Sequence, residues 1–429
     1  MGGRRYVILG NGPAGVAAAE ALRRSDRSAS LTVVSDEPYP PYSRCRIPEI
    51  IAGQARAEDL TIRPPDFYQR LEVEPVLGKR AVEIDPERGR VVLEDGSALP
   101  YDALLVATGA RPVAMGIPGD DLRGVFTLRA IRDAEEIART TAKASSAVVI
   151  GGGMVSLKAA VALRKRGLAV TVVVKSRHLL SRQVDSRGAA LVEQALAAQG
   201  IDFVFGQNPA AFEGKGGELE SVLLEDGTRR PAQLAVVGKG VVPNVELARA
   251  AGVRVERGIA VNQYLETNVP GIYAAGDVCQ VRDVVTGEEA PSALWTLAVE
   301  QGRLAGLNMA GRRAPYGGGL TRLNAVDLGG LALISAGLAN AHGEGFQVLE
   351  DLRRGNYRRL VLRNGRLVGA LHIGDISRAG VYTALIRGGA RVEGLEEELR
   401  TGRLTSYLRG GAWLERRSPE EVGADGQVV

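Results

Sequence analysis

The sequence predicts an α/β fold: two doubly wound parallel sheets in series, followed by a smaller α+β domain. Three observations predict it. The turn Gly10-Asn11-Gly12-Pro13-Ala14-Gly15 follows the apolar run Tyr6–Leu9 and opens an alanine-rich helical stretch, the context that joins the first strand and helix of a dinucleotide-binding sheet. The turn Gly151-Gly152-Gly153-Met154-Val155-Ser156 repeats that arrangement after Ala147–Ile150. Past Pro315 the pattern changes to short alternating segments, Ala332–Ile334, Phe346–Leu349, Arg359–Leu362 and Leu367–Ile373, with Asn364-Gly365 as a hairpin turn.

Each element has a local reason. In the first fingerprint, Gly10 and Gly12 let the backbone turn tightly and approach a pyrophosphate, while the helix start offers unpaired N–H groups and the positive end of a dipole. The strand Leu31–Val34 ends in Ser35-Asp36-Glu37, where a carboxylate suits a ribose hydroxyl. The stretch Val82–Leu99 alternates like hairpin strands, and Tyr101–Gly109 reads as a buried strand ending in a turn. Pro112 and Pro118 mark a crossover into the second sheet, which takes Ala147–Ile150, Ala169–Val174 and Leu234–Gly238 before the chain returns through Gly258–Asp277. One fingerprint holds one dinucleotide, so two imply a flavin and a nicotinamide cofactor. The expected domains are residues 1–118 with 246–312 for FAD, 119–245 for NAD(P), and 313–429 for the α+β domain.

Composition narrows the function classes. A chain of 429 residues that is 45% hydrophobic is globular and large enough for two or three domains. No apolar run approaches the ~20 residues that cross a bilayer, and the first strand begins at once, so a cytoplasmic protein without a membrane span is expected. Two cysteines and three histidines leave little for a disulfide framework, an iron–sulfur cluster or a zinc site. The net charge of +4 is modest and scattered, so no nucleic-acid partner is expected. A homodimer is left open.

Three further signatures follow the first fingerprint in order: Ala107-Thr108-Gly109-Ala110-Arg111-Pro112, Gly238-Lys239-Gly240-Val241-Val242-Pro243-Asn244, and Thr267–Asp277 ending in Ala274-Ala275-Gly276-Asp277. Together they resemble the pyridine nucleotide-disulfide oxidoreductase superfamily of FAD flavoproteins. That resemblance places Asp277 on the flavin ribityl chain, Gly276 in close backbone approach, and the backbone of Ala81 at the adenine. It also points the helix starting at Trp295-Thr296 toward the flavin N1–C2=O region, where its dipole favours the negative charge of reduced flavin. The FAD set implied is Gly10, Gly12, Pro13, Ala14, Gly15, Asp36, Glu37, Arg44, Ala81, Ala107, Thr108, Gly109, Arg111, Gly276, Asp277, Trp295 and Thr296. The nicotinamide set is Gly151, Gly153, Met154, Val155, Lys175, Arg177 and Gly238.

Within the superfamily, Cys45 is the catalytic candidate. The spacing Cys45…Pro48…Gly53 resembles the single-cysteine branch of coenzyme A-disulfide reductases and NADH oxidases, where a helix start and the flavin would favour a thiolate. Arg46 stands where that branch carries glycine, and would either favour the thiolate or block the approach. Pro41-Tyr42-Ser43-Arg44 instead resembles rubredoxin reductases, nitrite-reductase flavin domains and phenylglyoxylate-dehydrogenase flavoprotein subunits. Cys279 reads as packing, and His342 and His372 as structural or surface residues.

In the second fingerprint, Ser156 replaces the third glycine and Lys158 the glutamate of relatives. The strand Ala169–Val174 ends in Lys175-Ser176-Arg177-His178 rather than a carboxylate, which favours the 2′-phosphate of NADPH over NADH. The activity implied is an FAD-dependent NAD(P)H:acceptor oxidoreductase passing hydride from nicotinamide to flavin N5, and electrons on to a ferredoxin- or rubredoxin-like carrier or a small acceptor. Two alternatives stand beside it. One is a disulfide, persulfide or peroxide reductase or NADH oxidase working through Cys45. The other is an FAD-binding regulatory or assembly protein with a decayed nicotinamide site.

Overall fold

The structure is a computed structural model that describes residues 3–403. Two five-stranded parallel sheets carry the earlier part of the chain. The first has the order Ile272–Ala274, Ala103–Val106, Arg5–Leu9, Ser30–Ser35, Glu74–Leu77. The second has the order Ile201–Phe205, Ala169–Val174, Ser146–Ile150, Leu234–Val237, Val125–Thr127. The central strands are runs of Val, Ile, Leu and Ala because both faces of a parallel sheet are covered; Ala103–Val106 and Leu234–Val237 are buried throughout. In each sheet the strand order doubles back at the strand that precedes a fingerprint, Arg5–Leu9 or Ser146–Ile150. Such a switch point opens a crevice beyond the carboxyl ends of the strands. Both glycine turns therefore lie at crevices.

The stretch expected as a hairpin, 82–99, is a three-stranded antiparallel meander of Ala81–Asp85, Arg90–Leu93 and Ala98–Pro100. A second meander, Pro209–Lys215, Glu218–Leu224 and Arg229–Pro231, occupies the corresponding place in the second half and has no counterpart among the sequence expectations. Pro112 ends a short strand, Ala110–Pro112, that pairs antiparallel with Val241–Pro243, so the outgoing and returning crossovers run side by side.

The fingerprint helix Pro13–Ser25 and the helix Trp295–Met309 meet backbone to backbone. A Cβ on Gly302 would lie 2.0 Å from the Ala14 carbonyl oxygen, and one on Gly306 would lie 2.7 Å from that of Ala18. A spacing of four keeps each pair on one helix face. Within the fingerprint, a Cβ on Gly15 would lie 1.9 Å from the Gly10 oxygen, the reason only glycine fits there.

Both sheets belong to one compact unit, the chain up to Ser181 together with Val192–Thr321; the other unit comprises Arg182–Leu191 and the chain from Arg322 onward. The second unit is built on a five-stranded antiparallel sheet in the order Leu323–Asp327, Ala332–Gly337, Arg366–Ile373, Asn356–Arg363, Gln347–Arg353. Asn364 and Gly365 have φ of +51° and +69°, the left-handed pair that a tight hairpin requires. Residues 182–191 are drawn in by side chains of this sheet: the Ser335 hydroxyl donates to the Gln183 carbonyl at 2.6 Å and Tyr357 to Asp185 at 2.9 Å.

His372 lies inside this unit, 1% exposed, opposite Arg358 on the neighbouring strand and 4.9 Å from the Tyr382 ring. Its Nε2 is buried without a hydrogen-bond partner. Burial, then the Arg358 charge, push its pKa down to about 4, against a smaller opposing effect of Asp375.

Two outcomes follow. Gly302→Val forces the paired helices apart and lowers stability by about 3 kcal/mol or more, read as a fall in the urea midpoint. His372 is neutral when folded and protonated more readily when unfolded, so its contribution is complete above about pH 6.5 and lost as pH falls to about 4. That loss amounts to about 3 kcal/mol. His372→Phe should flatten the decline of melting temperature between those pH values; an unchanged slope would refute it.

Candidate functional site

The first crevice is shaped by its glycines. Gly10 has φ +122°, and a Cβ there would lie 2.1 Å from the Ala107 oxygen, whereas a Cβ on Gly12 would meet nothing within 4 Å. Gly12 caps a helix that has Pro13 in its first turn, where the missing N–H costs nothing. The result is an open cradle at a helix N-terminus, with room for a phosphate against the backbone. Gly276, φ +82°, closes the far side: a Cβ on it would lie 3.1 Å from the Ala14 Cβ. Its N–H donates to the buried Gln301 side chain at 2.8 Å, which fixes the turn that presents Asp277.

A chain of charges crosses this crevice. Glu37, just past the second strand, accepts hydrogen bonds from Tyr42 and Arg44. Arg44 also donates to the Tyr42 oxygen at 2.8 Å and to the Arg129 carbonyl at 2.9 Å. Arg129 in turn pairs with Asp277 at 2.7 Å, and its Nε is buried without a partner. A donor left unsatisfied in a buried crevice costs free energy unless a ligand accepts from it. The cradle and the orphaned donor both fit an anionic, oxygen-rich ligand.

The second crevice repeats the pattern with one change. Gly151 has φ +108°, and a Cβ on Gly153 would meet nothing within 4 Å. Ser156 is 1% exposed, and its hydroxyl lies 3.3 Å from the Ile150 oxygen and 3.4 Å from that of Gly238. A Cβ on Gly238 would sit 2.0 Å from that hydroxyl. Serine therefore does the packing job of the third glycine, and Gly238 makes room for it. Lys175 and Arg177 are exposed beyond the strand Ala169–Val174, while the Ser176 hydroxyl turns inward to the His178 carbonyl at 2.8 Å.

Cys45 is exposed in a three-residue 3-10 turn, Arg44–Arg46, and the next helix starts only at Pro48. It thus precedes that helix instead of standing in its first turn. Arg46 neither flanks the thiol as a free charge nor caps it: it pairs with Glu49 at 2.7 Å and donates to the Asp59 carbonyl at 2.7 Å. The segment is held instead by the helix Met154–Lys165 and the residue that caps it. Lys158 donates to the Cys45 carbonyl at 2.6 Å, Lys165 to Gln54 at 3.3 Å and Arg166 to the Ile51 carbonyl at 2.9 Å.

The remaining candidates divide by place. Thr108 donates to the Asn244 carbonyl at 2.9 Å and Gly109 has φ +69°, so this turn clasps the returning crossover. Arg111 is drawn to Glu246 at 2.7 Å and Asn244 at 3.1 Å, away from the cradle. Asp36 is exposed beside the engaged Glu37, Ala81 starts the first meander, and Trp295 and Thr296 form the first turn of their helix. Cys279 is buried, 3.4 Å from both the Gly276 and Gln301 oxygens, and burial pushes its thiol up to about 12, as suits a packing residue. A polar groove of about 460 Å³ lined by Gly53, Arg56, Glu58, Glu135 and Arg166 shares no residue with either fingerprint. Arg129, Gln301 and Lys239 were not among the sequence candidates, because nothing local distinguishes them.

Residues 4–302 match the model of the pyridine nucleotide-disulphide oxidoreductase family, and residues 320–390 match that of the rubredoxin NAD+ reductase C-terminal domain. The chain is 31% identical to nitrite reductase [NAD(P)H] of Bacillus subtilis, over 90% of this chain and 48% of that one, and so spans about half the length of that relative. It is 32% identical to the NADH-dependent phenylglyoxylate dehydrogenase subunit epsilon of Aromatoleum evansii, over 89% of this chain and 91% of that one. A crystal structure of a covalent putidaredoxin reductase–putidaredoxin complex superposes with a TM-score of 0.84 at 28% identity, over 96% of this chain and 99% of that one. With two switch-point cradles in one compact unit and a family match across both, the chain belongs to the pyridine nucleotide-disulphide oxidoreductase family.

Proposed function

We propose that the protein is an FAD-dependent NAD(P)H:acceptor oxidoreductase that hands electrons to a ferredoxin- or rubredoxin-like carrier or to a small acceptor. FAD and a nicotinamide nucleotide are the cofactors of the family. The observation that carries the reading is the pair of open glycine cradles, at Gly12 and Gly153, each at a helix N-terminus and a switch point. We assign FAD to the half built on residues 1–118 with 246–312, and the nicotinamide nucleotide to 119–245.

In this reading the first helix start holds the pyrophosphate, Glu37 the adenosine ribose and Asp277 the ribityl chain. The helix start at Trp295 stabilises negative charge on the ring. Arg129, paired with Asp277, turns its unpartnered Nε to the bound anion. When bound, the flavin supplies two-electron uptake from the nicotinamide and release to the acceptor. Lys175 and Arg177, where a ribose-binding carboxylate would exclude a phosphate, support NADPH over NADH. A partner carrier is supported by the C-terminal family match and by the complex captured for the putidaredoxin reductase relative.

A second reading rests on Cys45, which is exposed and tied through its carbonyl to the second fingerprint helix by Lys158. It makes the protein a single-cysteine disulfide or persulfide reductase.

Purified protein should be yellow, and anaerobic NADPH should bleach the flavin absorbance. Flavin retained but bleached by neither NADPH nor NADH would sink the oxidoreductase reading and promote a regulatory one. Cys45→Ser should leave flavin reduction and electron delivery to a ferredoxin intact; a loss of disulfide reduction of about a hundredfold or more in that variant, with flavin reduction unchanged, would establish the second reading instead.

A further inference from the structure

Lys239 follows Gly238 at the carboxyl end of the strand Leu234–Val237. Its side chain leaves that strand and reaches Asn208, donating to the Asn208 side-chain oxygen at 2.7 Å. Asn208 belongs to the turn after Ile201–Phe205, three strands away on the far side of the fingerprint strand. That turn folds back over the end of Ala169–Val174, since the Gln207 N–H donates to the Val174 carbonyl. The Lys239 amine therefore sits above the carboxyl edge of the sheet, beside the strand end that carries Lys175. This is the edge over which the adenosine half of a dinucleotide lies in a doubly wound sheet.

The charges there do not balance. Lys239 is half-buried, its hydrogen-bond acceptor is a neutral amide, and Lys175 is close enough, after burial itself, to help push its pKa down. The carboxylate that opposes this effect, Glu225, accepts from the Asn208 amide at 3.3 Å. Beside this pair the Gln207 side-chain oxygen is buried without a partner. Two ammonium groups and an unused acceptor describe a pocket short of an anion that also carries a hydroxyl or amine to donate. A ribose phosphate on adenosine has both.

We propose that Lys239, acting with Lys175, is a specificity-determining residue for the adenosine 2′-phosphate of NADPH. The inference rests on the NADPH reading and deepens it, placing the discriminating charge on the strand-end loop at 239 as well as on the expected one at 175–177. A dianionic phosphate between the two amines offsets their repulsion and supplies the ionised acceptor that Asn208 is not.

The test compares binding of 2′,5′-ADP and 5′-AMP by calorimetry, and kcat/KM for NADPH and NADH, in the wild type, Lys239→Gln and Lys239→Arg. A charge-assisted bond is worth about tenfold to a hundredfold. Lys239→Gln should lower the preference for 2′,5′-ADP over 5′-AMP, and the NADPH/NADH ratio of kcat/KM, by that factor, and Lys239→Arg should retain most of both. Equal weakening of both nucleotides, or no change in either ratio, overturns the proposal while the NADPH reading stands. A wild type that binds 2′,5′-ADP no tighter than 5′-AMP overturns the NADPH reading itself, and the proposal with it. Equal melting temperatures of wild type and variants exclude misfolding as the cause of a shift.

Discussion

The contact between the fingerprint helix and the Trp295 helix is the constraint on which the first crevice depends. Gly302 and Gly306 let the two backbones touch at Ala14 and Ala18, closer than any pair of side chains allows. The two helices run in the same direction, Gly302 against Ala14 and Gly306 against Ala18, so the place of one helix fixes that of the other. The same contact holds Gly276 against Ala14, and Gln301, on the Trp295 helix, binds the Gly276 N–H. A wider helix pair would move the fingerprint loop, the Asp277 turn and the second helix start together.

Around that frame, charge links parts of the chain that a parallel sheet alone would leave independent. Glu37, Arg44, Arg129 and Asp277 form a connected path from the end of one sheet's second strand to the return of the chain after the other sheet. Its members are partly buried, where an unpaired charge would be expensive, and each carboxylate has an arginine. The Arg129 Nε is buried without a partner, an unspent donor in the first crevice. Serine at 156 shows the complementary economy: a hydroxyl at the third-glycine position of the fingerprint, accommodated because Gly238 opposite it has no side chain.

The Cys45 segment depends on the second half for its position. Lys158, Lys165 and Arg166 donate hydrogen bonds to residues 45, 54 and 51. All three partners are backbone or amide oxygens, so the tether fixes position without neutralising the cations. Lys158 therefore sets an ammonium group directly against the backbone carbonyl of Cys45.

Much was determined by the sequence itself. The strands beside both fingerprints and the hairpin at Asn364-Gly365 were legible because period, turn chemistry and backbone sterics act over a few residues. The glycine positions carried the cradles for the same reason. What the tertiary structure decided lies between residues far apart. Arg129 meets Asp277 across 148 positions, Lys158 meets Cys45 across 113 and Lys239 meets Asn208 across 31. No local pattern marks these pairs, because each lysine or arginine is indistinguishable from a solvated one until the fold chooses its neighbour. The 3-10 turn at Cys45 and the i,i+3 pair of Arg46 with Glu49 are local, since Pro48 opens the next helix and ends any helix before it.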